Sequence, residues 1–100
     1  MRQYTFEGRH ITLKATTYQN NDTLALLAYY DDEEEDFDVL TVNLNNPMLQ
    51  SDNTAFIDTN NIPWAERFLK ESGIGEPTGA CQQSGFCTYP LYRIFTEAQL

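Results

Sequence analysis

The stretch from Ala55 to Ile74, AFIDTNNIPWAERFLKESGI, reads as a short strand, a polar cap and one amphipathic helix that can cover a sheet. Trp64 and Phe68, like Ala65 and Leu69, stand four apart and share one face, while Arg67, Lys70 and Glu71 fall opposite. The spacing predicts a helix over about 62–72. Glu66 and Lys70 are set for an i,i+4 ion pair of about 0.2–0.5 kcal/mol. Asn60 or Asn61 offers a side-chain oxygen to the first turn, and Pro63 suits a position whose N–H has no helical partner. Proline also disfavours helical geometry at Ile62, which leaves open a cap at Ile62 with Asn61 bonding from one step outside. Gly73 can take the left-handed conformation that ends a helix and folds Ile74 back onto Leu69. A helix of about three turns is marginal alone in water, so Trp64 and Phe68 must pack on a sheet. Trp64 is therefore read as a core anchor and not as a ligand-stacking residue.

The chain has 100 residues, 41% hydrophobic and 13% aromatic, enough to build one core, and a single domain over residues 1–100 is expected. No apolar run approaches the ~20 residues of a membrane helix, and the opening MRQYTFEGRHITLK lacks the apolar segment of a signal peptide. A cytoplasmic location away from membranes is the expectation. In that reducing compartment Cys81 and Cys87 remain thiols, the alternative being a bridge across the Ser84-Gly85 turn.

The net charge of −9 is local. Asp31, Asp32, Glu33, Glu34, Glu35, Asp36 and Asp38 supply seven of the fifteen acids, leaving eight against six bases elsewhere. Six scattered bases offer no patch for phosphates, which argues against direct nucleic-acid binding.

Tyr4 and Phe6, then Ile11, Leu13 and Ala15, alternate with polar residues about Glu7-Gly8 as two strands of a hairpin. Tyr18 to Asp22 is turn chemistry. Thr23 to Tyr30 is almost continuously apolar and reads as a central strand, and Phe37 to Leu44 as a fourth, with the acidic run as the loop between them. After a polar loop over Asn45 to Asn53, the pattern becomes extended again at Thr54 to Asp58 and leads into the helix. Gly75, Pro77 and Gly79 read as a turn-rich link. Ala80 to Gln83 and Phe86 to Phe95 form a last hairpin in which Pro90 marks an edge strand or a bulge. The expected fold is α+β: an antiparallel sheet, made of a four-strand N-terminal meander plus a C-terminal hairpin, covered by one helix.

Leu40-Thr41-Val42-Asn43-Leu44, Ala55 to Asn61, and Ser84-Gly85-Phe86 followed by Tyr89-Pro90-Leu91-Tyr92 resemble a family of small uncharacterised proteins carried on plasmids and conjugative elements of gut bacteria, a domain of unknown function. The resemblance runs from about Tyr18 to Tyr92. It implies an accessory gene of a mobile element acting inside the bacterial cell, and it lends no catalytic residue.

The residues themselves argue against an enzyme. The one histidine, His10, points away from Ile11 and Leu13 and is a surface residue, and Ser84 lies in a plain turn, QQSGF. No basic cluster stands near either cysteine to activate it. Two cysteines and one distant histidine fall short of a zinc site. Neither Asp58-Thr59-Asn60 nor the acidic run matches a calcium loop, since Pro63 and Asp36 stand where its glycine belongs. No catalytic residue, metal ligand or cofactor site is assigned. The bland reading of the acidic run is a solvated loop. The functional reading is a handle, Asp31 to Asp36 with Asp38, for the basic surface of a partner protein, with Phe37 as an apolar anchor or as core. A second class is a DNA mimic that blocks restriction or other defence enzymes. Against it, duplex phosphates recur about every 1.7 Å along the axis, and acids gathered in one loop imitate that poorly.

Overall fold

Alternation about Glu7-Gly8 becomes a hairpin of β1 (Arg2–Phe6) and β2 (Arg9–Thr17) in a computed structural model, which describes residues 2–19, 23–31, 35–44, 46 and 53–95. Glu7 and Gly8 both have positive φ, 51° and 80°, the two-residue turn whose twist suits antiparallel strands. β3 (Leu24–Tyr30) pairs with β2 and with β4 (Phe37–Val39), so the continuously apolar run is an interior strand. Opposed residues share a face: Tyr4 with Ile11, Phe6 with Arg9, Ile11 with Tyr30 and Leu13 with Ala28. The inner face is therefore apolar and ends at Arg9.

The strand expected over 37–44 breaks at Leu40. β4 stays in the first sheet, whereas β5 (Thr41–Val42) pairs with β6 (Thr54–Ile57) in a second one. Leu40 is fully buried; it donates its N–H to the Leu26 carbonyl at 2.8 Å and accepts from the Asp58 N–H at 2.9 Å. Bending one strand at a corner lets it serve both sheets. The expected α+β class with antiparallel pairing holds, but the meander and the C-terminal hairpin lie in two four-stranded sheets and not in one.

The second sheet runs β5-β6-β8-β7, with β7 (Gly75–Ser84) and β8 (Cys87–Ile94). The segment around Gly75, Pro77 and Gly79 is thus strand and not link. Pro77 and Gly79 mark an irregularity in register between Pro77 and Cys81 on an edge strand, where a missing donor and two extra residues are tolerated. The Thr78 hydroxyl pins it, donating to the Leu91 carbonyl at 3.0 Å and accepting from the Ala80 N–H at 3.1 Å. Gly75 is needed for close approach: a Cβ there would stand 2.6 Å from the Arg93 carbonyl oxygen. Pro90 lies on β8, an interior strand, one residue beyond the last pair with β6 at Leu91.

The helix, α1 (Ala65–Glu71), is shorter than predicted. Ile62 to Trp64 form a turn ahead of it, and no side chain caps its first residue. Asp58, not an asparagine, organises the entry: its carboxylate accepts from the Asn61 N–H at 3.2 Å and from the Asn61 amide at 2.9 Å. The exit is as expected. Gly73 has φ 68°, and the Ile74 N–H returns to the Leu69 carbonyl at 2.9 Å. Arg67 pairs with Glu71, whereas Glu66, expected to pair with Lys70, accepts from the Tyr92 hydroxyl.

Ala65, Phe68 and Leu69 from the helix, Leu13, Leu26 and Ala28 from the first sheet, and Ile57, Tyr92 and Ile94 from the second belong to one buried cluster. Phe68 meets Tyr4 and Phe6 edge-on, at 5.8 and 5.3 Å between ring centres, which seats the helix on β1.

Candidate functional site

The ends of β2 and β3 bring one arginine and several acids to the margin of this core. Arg9, on the inner face diagonal to Tyr30, holds its guanidinium 4.2 Å from the centre of the Tyr30 ring. The same guanidinium pairs with Asp31 at 3.2 Å and reaches Asp36 at 3.7 Å. All three side chains are about half exposed, so each pair contributes at most about 1 kcal/mol. The Tyr30 N–H donates to the Asp36 carbonyl at 2.9 Å and the Asp31 N–H to the His10 carbonyl at 2.9 Å, which ties down both ends of the acidic loop. Asp38, opposite Ala28 and hence on the inner face, accepts from the Tyr30 hydroxyl. Burial, reinforced by that bond, pushes the Tyr30 phenol well above its ordinary range.

These groups edge an open cleft of about 360 Å³. Phe6, Ile11, Tyr30 and Trp64 form its apolar walls, and Glu7, Arg9, Asp36 and Asp38 its polar rim. Trp64 is only half-buried, and packs against the core with Phe6 at 5.8 Å, Phe68 at 5.9 Å and Tyr30 at 6.2 Å between ring centres. The reading of Trp64 as a plain core anchor is thus corrected: one side rests on the core and the other faces the cleft.

Of the seven predicted partner-binding residues, Asp31, Asp36 and Asp38 gather about Arg9 and Tyr30, and Glu35 is exposed. Asp32, Glu33 and Glu34 lie outside the described residues, as do positions 20–22 of the expected turn and most of the polar loop over 45–53. Phe37 is not core. It stands 45% exposed on the outer face, its ring 5.1 Å from that of Tyr29, and Val39 beside it is 36% exposed. Sequence reasoning missed the cleft because its walls come from four separate elements. The one available signal was Arg9, an arginine in register with an alternating apolar face.

His10 is exposed, as read. Cys81 and Cys87 are free. Ser84 opposes Cys87 and Cys81 opposes Pro90, so alternation puts the two thiols on opposite faces of the hairpin, where no bridge forms. Among the described residues no three of His, Cys, Asp and Glu converge as a metal site requires, and no helix is long and apolar enough to cross a membrane.

Residues 12–100 match the family described as Domain of unknown function (DUF4313), and the chain belongs to that family. No curated protein and no solved structure matches it. Membership agrees with the expected family of unknown function and assigns a role to no residue.

Proposed function

We propose that the protein is a non-enzymatic accessory protein of a bacterial mobile genetic element that works in the cytoplasm as an acidic protein-interaction module, binding the basic surface of a partner protein. The observation that carries this reading is the exposed pair Phe37 and Val39 on β4, backed by Tyr29, directly after the acidic run. An apolar spot bordered by charge is the usual build of a docking surface, with contact from the rings and steering from the carboxylates. The setting in a mobile element rests on the sequence resemblance alone.

The test is affinity capture from the native host with three baits: wild type, Phe37→Ser, and a variant carrying Asn or Gln at 31–36. Asp38 is left in place because it holds Tyr30. Wild type should enrich a basic protein that both variants lose, and added salt should weaken the capture. Identical capture by all three baits would end the proposal. Protection of unmodified DNA from restriction in expressing cells would favour the DNA mimic instead.

A further inference from the structure

The cleft lies on the other side of β4 from Phe37, and its chemistry is specific. Phe6, Tyr30 and Trp64 present aromatic rings, whose faces attract cations, and the carboxylates of Glu7, Asp36 and Asp38 stand at the rim. Arg9 displays what such a site accepts, a guanidinium over the Tyr30 ring with carboxylates on its edge. Glu7 is already paired with Arg67, whose guanidinium also lies 5.0 Å from the centre of the Phe6 ring, so Asp36 and Asp38 are the acids that a further cation would meet. Arg9 is shared between Asp31 and Asp36, while Asp38 receives a neutral phenol. A volume of about 360 Å³ is at the small end of ligand clefts, fit for one side chain and not for a large cofactor.

We infer that this cleft takes an arginine side chain of the partner, its guanidinium against Trp64 and its charge met by Asp36 and Asp38. The inference rests on the interaction-module reading and names the group that the module recognises. The aromatic wall gives a cation a place to lose water without losing electrostatic compensation, and the rim excludes anions. Arg9 holds Asp31 and Asp36 in position while the cleft is empty of partner.

Trp64 is the chain's one tryptophan, so its indole N–H is a unique nuclear magnetic resonance signal. The full chain is titrated with N-acetyl-arginine amide and, separately, with N-acetyl-citrulline amide, its uncharged counterpart. Arginine should move the Trp64 signal saturably and citrulline should not. The Asp36→Asn/Asp38→Asn variant, which keeps an acceptor for Tyr30 and whose fold is checked by its melt, should bind arginine about tenfold more weakly. No saturable movement, equal movement with citrulline, or undiminished binding by the double variant would each overturn the inference. The arms separate this from the broader reading. If Trp64 stays silent while Phe37-dependent capture of a basic partner persists, the cleft assignment falls and the module stands. If Trp64 responds but no partner is captured, the cleft stands and the module falls.

Discussion

The hydroxyl of Tyr92 donates to the Glu66 carboxylate at 2.7 Å, joining the fully buried middle of β8 to the first turn of the helix. Tyr92→Phe removes this bond and leaves the packing. A hydrogen bond to a charged group contributes about 1.5–3 kcal/mol, and the half-buried Glu66 can regain water, so the loss should sit at the lower end. In a domain of this size 1 kcal/mol is roughly 4–8 °C of Tm. A thermal melt of Tyr92→Phe within about 2 °C of wild type would show that the bond does not fasten the helix.

Burial first, and the bonds to Glu66 and Asp38 second, raise Tyr92 and Tyr30 above the ordinary tyrosine value of 10.0. The unfolded chain then releases these protons at lower pH than the native one, so stability is fully present below about pH 10 and falls as pH rises beyond it. Denaturant unfolding from pH 8 to 11 should show that decline. The Tyr30→Phe/Tyr92→Phe variant should be less stable at pH 8 and lose less on the way to pH 11.

Because Trp64 is only half-buried, Trp64→Ala should cost less than the ~3–5 kcal/mol of a fully buried tryptophan, about 2 kcal/mol. Phe68→Ala, at a site with no exposure, should cost the full amount. Paired melts decide: equal losses would mean that the indole is as much a core residue as Phe68.

Gly75→Ala forces a methyl group against the Arg93 backbone carbonyl and the Ile94 side chain. Backbone cannot step aside as a flexible side chain can. A loss of about 1–3 kcal/mol is expected in denaturant unfolding. A neutral result would show that β7 slides freely along β8.

Local pattern reached the strands whose two faces differ, such as Ile11 and Leu13 on β2, and the Gly73 stop, where one residue type answers one backbone requirement. It failed where partners are distant. Leu40 reads as one more apolar residue in an alternating run, and only the position of Leu26 and Asp58 shows that the strand divides there. Gly75 and Pro77 carry the composition of a loop, yet edge position and register irregularity let them pair. The acidic run was legible as charge, but the way its ends wrap Arg9 and Tyr30 depends on the register of three strands.

Leu40 has a consequence for how the molecule comes apart. Its N–H belongs to one sheet and its carbonyl to the other, and it has no exposure through which water could replace either bond. Prising the sheets apart would break a backbone bond at Leu40 and open the single core that both sheets share, so the two should melt together in one cooperative transition. A partner gripping β4 would then slow amide exchange in β6, on the far side of the joint, without touching it.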